Sequence, residues 1–101
     1  MNLEEVDQWM KMHADDAKKI NKPLILFEYG EYRGYNGDTV ERDRLYKLIL
    51  SKAQEYGLAG TSFWMLLHKD YRRYDDGMGV YYPDDRSTIE LIRSYAEKAN
   101  K

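Results

Sequence analysis

The sequence predicts an α/β fold built on parallel strands. Residues 24–27 and 58–67 are almost uninterrupted apolar runs, a pattern typical of strands that are buried on both faces of a parallel sheet. Segments with helical periodicity precede, separate and follow these two runs, which gives the order α-β-α-β-α. Strands that alternate with amphipathic helices in this way indicate crossover connections between parallel neighbours.

The composition is that of a soluble globular chain. It has 101 residues, no cysteine, 16 Lys and Arg against 18 Asp and Glu, and ten tyrosines. This length suits one small domain. No apolar run approaches the roughly 20 residues that cross a bilayer, and the mixed charge argues against nucleic acid as the main partner. The N-terminal residues, beginning at Met1, lack the basic and apolar regions of a secretory signal.

Each predicted helix starts with a side chain that can accept hydrogen bonds from the first backbone N–H groups. The first helix covers residues 3–20 and stops before Pro23, because the residue before a proline leaves the helical conformation. The predicted caps are Asn2 with Glu5 for the first helix, Asp38 with Glu41 for the second, and Ser87 with Glu90 for the third.

Two features of this organisation are unusual. Residues 68–86 show no helical period and are rich in Asp, Gly, Tyr and Pro, which predicts a long irregular connection of the kind that is often functional. Two parallel strands are also too few to form a complete sheet, since they leave two open edges and little core. The pattern therefore predicts a piece of a larger sheet.

Glu28 is the sharpest functional candidate. It directly follows four apolar residues at the C-terminal end of the first predicted strand, where parallel α/β folds place their active sites. A carboxylate held there can act as a nucleophile or as a base. The structural alternative is an ion pair with Arg33 or Lys22 at the strand end.

Trp64 occupies the corresponding level of the second strand. An indole face beside a carboxylate is a suitable platform for the C–H face of a sugar ring. The structural alternative is a core tryptophan that fills the space between sheet and helices.

Seven of the ten tyrosines lie in the two segments that follow the predicted strand ends. Tyrosine combines an apolar ring with a hydroxyl group, which suits a polyhydroxylated ligand; the alternative is that these rings simply pack over the helices. His68 is a further pocket candidate because it lies just past the second strand. The seven are Tyr29, Tyr32, Tyr35, Tyr71, Tyr74, Tyr81 and Tyr82.

Other possible sites are weakly supported. The acidic residues 75–76 and 84–85 lack the spacing of a calcium-binding EF-hand and are better interpreted as turns. His13 lies on a helix face without a partnering metal motif. The sequence has no phosphate loop, GxGxxG or GxSxG, so no metal or cofactor is expected.

Two motifs resemble those of a known family. KPLILFEYG at residues 22–30 and AGTSFW at residues 59–64 resemble the C-terminal part of glycoside hydrolase family 5, with the nearest likeness to its endo-β-1,4-mannanases. Residues 9–17 and 76–83 also look like that subgroup, so the resemblance covers essentially the whole chain. The two motifs are fairly specific for retaining β-glycosidases and less specific for mannan over cellulose.

The resemblance implies a (β/α)8 barrel, of which residues 1–101 would supply helix six through helix eight as one segment without a second domain. It implies that Glu28 is the nucleophile and that Trp64 lines the sugar subsite, with Tyr29 and His68 as further substrate-binding residues. The implied substrate is a β-linked polysaccharide, mannan or glucomannan, with no cofactor, nucleic acid or membrane partner. The implied parent enzyme is secreted.

The second catalytic carboxylate is missing from this sequence. A retaining glycosidase needs two carboxylates about 5 Å apart, and the family carries its acid/base glutamate in an Asn-Glu-Pro motif that is absent here. Glu31 matches no such motif. Because a full barrel takes about 250 residues, we expect an inactive segment that needs the remaining barrel. The alternatives are a non-catalytic module that self-associates through its strand edges, and a carbohydrate-binding module without catalysis.

Overall fold

The computed structural model describes residues 2–99, which form three α-helices, four short strands and one 3-10 turn. The predicted order α-β-α-β-α is present among the longer elements, and two strands that the sequence pattern did not predict follow the second of these strands. The elements are α1 (Leu3–Lys19), β1 (Ile25–Tyr29), α2 (Val40–Glu55), β2 (Gly60–Phe63), β3 (Leu66–His68), the 3-10 turn Arg72–Tyr74, β4 (Val80–Tyr82) and α3 (Arg86–Ala99).

β1 and β2 are parallel neighbours connected by α2, which confirms the predicted βαβ arrangement. Phe27 lies opposite Ser62, and Tyr29 lies opposite Phe63. One residue of β2 therefore corresponds to two residues of β1 at this point, and Glu28 is the extra residue of the resulting bulge. β3 and β4 form a second parallel pair that is separate from the first.

The core lies around α2, which packs against both α1 and α3. The inner face of α2 carries Leu45, Ile49 and Ala53, which are all buried. Tyr46 is also fully buried, and its ring makes an edge-on contact with the ring of Tyr29 at a centroid distance of 5.0 Å. The aromatic side chain at the end of β1 is thereby attached to the helix layer.

One face of β1 is exposed, so the prediction that both faces are buried is wrong for the described residues. Leu26 packs against the core, whereas Ile25 is 57% exposed and Phe27 is 72% exposed. Successive side chains of a strand point to opposite faces. Helices cover one face here, and within residues 2–99 no second layer covers the other.

The apolar run at residues 58–67 does not form one strand. β2 ends at Phe63 and the chain resumes as β3 at Leu66, which pairs with β4 instead of β1. Residues 68–86 therefore hold a strand and a 3-10 turn, and the prediction of an irregular connection is wrong. An uninterrupted apolar run carries no signal for the point at which the chain leaves one sheet for another.

α1 begins as predicted. The side-chain oxygen of Asn2 accepts hydrogen bonds from the backbone N–H groups of Glu4 at 2.9 Å and Glu5 at 3.3 Å. The last turn of α1 carries Lys18 and Lys19, where the helix dipole favours cations. No helix within residues 2–99 combines the length and apolar character needed to cross a membrane.

The predicted cap of α3 is wrong, and that of α2 is formed only in part, since Oδ1 of Asp38 accepts the backbone N–H of Val40 at 3.2 Å. Thr39 rather than Asp38 precedes α2, and α3 begins at Arg86, so Ser87 lies inside its first turn. The Ser87 hydroxyl donates instead to the carboxylate of Asp43 on α2. This contact joins residues that are distant in sequence, and a capping pattern contains no information about it.

Candidate active site

Glu28 lies at the C-terminal end of β1, on the bulge. Its φ is +61°, in the left-handed region that costs a non-glycine residue roughly 1–3 kcal/mol. Bulges redirect side chains and are common next to active sites. The strained backbone and the bulge together make this a candidate functional position on structural grounds, independently of the sequence motif.

The Glu28 side chain is exposed and makes no hydrogen bond or ion pair with any other residue of the described range 2–99. Arg33, one of the two cations considered as its structural partner, is instead paired with the carboxylate of Asp85. The proposed ion pair with Arg33 or Lys22 is therefore not formed. The carboxylate is free to meet a ligand.

Trp64 directly follows β2 and lies beside the end of β1. Its backbone N–H donates to the carbonyl oxygen of Tyr29 at 2.7 Å, and its peptide bond to Met65 is cis. The side chain is 40% exposed, so it is not a core-filling tryptophan. Its indole Nε1–H donates to Oδ2 of Asp76 at 2.8 Å. Glu28 and Trp64 thus lie at the C-terminal ends of the neighbouring strands β1 and β2.

Gly30 permits the close approach of these two strand ends. A Cβ at this position would lie 2.7 Å from the carbonyl oxygen of Trp64 and 3.1 Å from Sδ of Met78. A contact this short with a backbone atom leaves room for a hydrogen atom only, so glycine is required here.

Tyr29 is placed in the core rather than in the cleft expected from the resemblance. Its side chain is buried against Tyr46. Burial raises the pKa of Tyr29 to about 12, and a hydrogen bond with Thr61 lowers it by less. The bulge at Glu28 is the physical reason, because the extra residue changes which side chain points towards the helices. The Tyr29 carbonyl holds the backbone of Trp64.

The remaining tyrosines divide by burial. Tyr81 is buried, and its ring lies between the guanidinium groups of Arg72 and Arg33, with centroid distances of 4.1 Å and 4.8 Å. His68 is exposed at the end of β3 and makes an edge-on contact with the Tyr71 ring. The tyrosines that remain on the surface as possible ligand contacts are Tyr32, Tyr35, Tyr71, Tyr74 and Tyr82.

Glu28 and Glu31 differ in their hydrogen bonds within residues 2–99. Glu31, the nearest acidic residue in sequence, has an oxygen occupied by the backbone N–H of Tyr32 at 2.8 Å. Within residues 2–99, no three or more His, Cys, Asp or Glu side chains are grouped so as to hold a metal ion.

A buried polar cluster around Arg42 holds the backbone at Gly79, and the sequence did not predict it. Arg42 is fully buried on α2, where it donates to the carbonyl oxygen of Gly79 at 2.8 Å and to the hydroxyl of Thr88 at 3.0 Å. Its guanidinium also lies 3.2 Å from the carboxylate of Asp85. The sequence did carry one signal for this cluster. Arg42 lies three residues before Leu45 and therefore on the same, inner face of the helix.

Two aspartates tie the segment between the 3-10 turn and α3 to the rest of the fold. Burial acts to raise the pKa of Asp85, but hydrogen bonds from Arg33 and from the Tyr81 amide, together with the nearby positive charge, outweigh it and lower the pKa. Asp75 behaves in the same way. Its burial is outweighed by hydrogen bonds from the Tyr81 hydroxyl and from the amides of Gly79 and Gly77, so its pKa is also lowered.

Comparison of the sequence with characterised proteins gives a consistent class of relatives. The chain is 32% identical over 91 residues to mannan endo-1,4-beta-mannosidase 4 of Solanum lycopersicum, which covers 84% of this chain and 23% of that protein. It is 30% identical over 103 residues to mannan endo-1,4-beta-mannosidase 7 of Arabidopsis thaliana, covering 95% of this chain and 24% of that protein. The chain thus spans about a quarter of the length of these relatives. No family model matches it.

Comparison of the structure gives the same class. The endo-beta-1,4-mannanase of Thermotoga petrophila superimposes with a TM-score of 0.76 and 32% identity, over 94% of this chain and 22% of that one. A glycoside hydrolase family 5 mannosidase of Rhizomucor miehei superimposes with a TM-score of 0.73 over 97% of this chain and 31% of that one, and at 19% identity it supports the fold alone.

The fold is therefore that of part of a (β/α)8 barrel, and the proteins that the chain resembles are glycoside hydrolases. Within that class, the resemblance to the endo-mannanases of glycoside hydrolase family 5 that the motifs predicted is confirmed. The partial coverage of every relative named above agrees with a segment of such an enzyme.

Proposed function

We propose that this chain is the C-terminal segment of a retaining glycoside hydrolase that cleaves β-1,4-mannan-type polysaccharide. In this proposal residues 1–101 supply helix six through helix eight of the barrel as one segment, and residues 2–99 are those for which a structure is described. The observation that carries the proposal is the free carboxylate of Glu28 on a strained bulge at the end of β1, with the exposed Trp64 at the end of the neighbouring strand β2.

In the completed barrel, a Glu28 carboxylate oxygen would attack the anomeric carbon. A bond from this oxygen to carbon forms while the glycosidic carbon–oxygen bond breaks, and the leaving oxygen takes a proton from an acid/base group outside this chain. Water then hydrolyses the glycosyl ester and restores Glu28. Trp64 would hold the ring of the sugar at the bond that is cleaved, with the exposed His68 as a further contact.

The two open edges of the β1–β2 pair support the need for a completing segment. A groove beside β1 is lined by Val6 and Trp9 of α1 and by Leu26. A second groove, on the side of β2, is lined by Thr61 and by residues of α3 that include Ala96. Each groove combines a sheet edge with an overhanging helix, which is the position of a neighbouring strand in a βα-barrel.

The test is complementation. The purified chain is mixed with a protein that supplies the first six βα units of such a barrel, and release of reducing ends from β-mannan is measured. We expect activity only in the mixture, with loss of at least about 1,000-fold for Glu28→Ala, as for removal of a covalent nucleophile. Glu31→Ala is the matched control and should retain activity. Equal activity of Glu28→Ala and the wild type would overturn the nucleophile assignment.

A second candidate, a non-catalytic module that associates with itself, is favoured by the exposed apolar face of β1. Ile25 and Phe27 lie on that face at the free edge of the sheet, and such surfaces mark sites of association. Size-exclusion chromatography with light scattering decides the matter. A defined oligomer together with failed complementation would favour this candidate, and a stable monomer would exclude it.

A further inference from the structure

Asp76 holds the indole of Trp64 from outside the sheet. Its Oδ2 accepts the indole Nε1–H at 2.8 Å, and its Oδ1 accepts the backbone N–H of Met78 at 3.1 Å. A carboxylate bonded through both oxygens cannot rotate without losing one bond. Because the acceptor is ionised, the bond to the indole is stronger than one between neutral groups.

The turn that carries Asp76 is fixed by its neighbours. Oδ1 of Asp75 accepts the backbone N–H groups of Gly77 and Gly79, each at 2.8 Å, and the Tyr81 hydroxyl donates to the other oxygen of Asp75. Gly77 has a φ of +100°, and a Cβ there would lie 2.7 Å from the Tyr32 ring. Asp76 is thus presented to Trp64 by a turn that is itself held at several points.

We propose that Asp76 is a positioning residue that sets the orientation of the Trp64 indole. The proposal rests on the proposed function in one respect, namely that Trp64 is the sugar platform. Without this bond the indole, which is 40% exposed, would be free to visit other rotamers. A ring that is already oriented loses less side-chain freedom when the sugar binds, which improves binding.

The first test needs no enzyme activity. In nitrogen-15 NMR spectra of the full chain, the two indole N–H signals are assigned with Trp9→Phe. In Asp76→Ala we expect the Trp64 signal to move upfield and its N–H to exchange with solvent roughly tenfold faster, because a hydrogen bond to a charged acceptor is lost. Asp76→Asn retains an oxygen acceptor, so its signal should lie between those of the wild type and Asp76→Ala.

The matched control is Asp84→Ala, which removes a carboxylate from the same segment without contact to Trp64. Asp84 pairs only loosely with Arg72, at 3.6 Å, and the Trp64 signal should remain at its wild-type position. If Asp76→Ala does not fold, the position of the Trp64 signal in Asp76→Asn tests the proposal by itself. An unmoved Trp64 signal in a folded Asp76 variant would overturn the proposal.

The second test uses the complemented barrel. Asp76→Ala should lower kcat/KM for β-mannan roughly tenfold or more, as expected for misplacement of a substrate-positioning group, and Asp76→Asn should restore most of the loss. Failure of the complementation itself would count against the proposed function and leave the NMR result to decide the role of Asp76. Full kcat/KM in Asp76→Ala would refute the role in catalysis even if the hydrogen bond exists.

Discussion

Gly30 is a single residue on which the geometry of the whole site depends. It lies two positions after Glu28 and makes the contact that lets the backbone of Trp64 approach β1. Glu28 tolerates a left-handed backbone although it has a side chain, and Gly30 supplies the space that a side chain would fill. At this strand end, one position therefore carries a side chain in a backbone conformation that favours glycine, and another must be glycine for lack of space.

We predict that Gly30→Ala lowers the free energy of unfolding by about 1–3 kcal/mol, the range for forcing extra atoms into a packed site. The reason is that its Cβ would lie 2.7 Å from a backbone oxygen, which can move only if β2 moves. The measurement is urea unfolding followed by circular dichroism.

Gly60 offers the matched control for this substitution. It lies in the neighbouring strand, and a Cβ built there meets no atom within 4 Å. Gly60→Ala should therefore be close to neutral or slightly stabilising. Equal losses in Gly30→Ala and Gly60→Ala would show that the close approach at Gly30 carries no energetic weight.

At the scale of elements, the segment between the 3-10 turn and α3 is held by charged groups in addition to the buried Val80 of β4. Arg33, Arg42 and Asp85 meet in one cluster, and Asp75 and Tyr81 extend it. A buried ion cluster of this kind adds little to the free energy of unfolding of the whole chain. It nevertheless fixes the local geometry, because removal of one partner leaves a buried charge unpaired.

This cluster makes the stability depend on pH. The pKa values of Asp75 and Asp85 both lie below the ordinary value of 3.8 in the folded chain. Groups with lowered pKa values contribute stability that is fully present above the unfolded pKa and is lost as the pH falls through the folded pKa. We expect the free energy of unfolding to be nearly constant from about pH 7 to 5 and to fall below about pH 4.

Urea unfolding at a series of pH values measures this dependence. In Asp75→Asn, one of the two carboxylates no longer titrates while an oxygen remains for the amides of Gly77 and Gly79. The decrease in stability below pH 4 should then be shallower than in the wild type. A profile for Asp75→Asn that is as steep as the wild-type profile would contradict the assignment.

The helices and the parallel pairing of β1 with β2 could be predicted from sequence, because apolar periodicity and strand-terminating residues are local signals. The strands β3 and β4 could not, since β3 lies inside one continuous apolar run and β4 has only three residues. Distant contacts also explain why Ser87 does not cap α3, since its hydroxyl meets Thr39 and Asp43 at the start of α2.

At the scale of the whole molecule, the dominant feature is an apolar sheet face that no second layer covers within residues 2–99. Phe27 is 72% exposed and Ile25 is 57% exposed. We predict that the chain at high concentration associates through this face, and that Phe27→Ser shifts it towards the monomer because the buried apolar area is reduced. Light scattering over a range of concentrations measures the shift.

Tyr35→Ser is the control, because it removes an aromatic side chain that is fully exposed on a loop and lies away from the sheet face. It should leave the association unchanged. If Phe27→Ser and Tyr35→Ser behave alike, the association does not use the β1 face. The same two variants in the complementation mixture show whether that face also meets the completing barrel segment.

The sequence by itself determined the α/β order and the resemblance to the endo-mannanases, and it selected Glu28 and Trp64 as candidates, since all of these depend on local composition and on short motifs. Only the tertiary structure decided that Tyr29 enters the core, that Asp76 holds the indole and that Arg42 joins Asp85. The physical reason is that a bulge of one residue redirects every side chain after it, and that hydrogen bonds between distant segments depend on how the chain is folded. The local sequence pattern selects the candidate site residues, and the packing of the chain determines which of them are exposed at the strand ends.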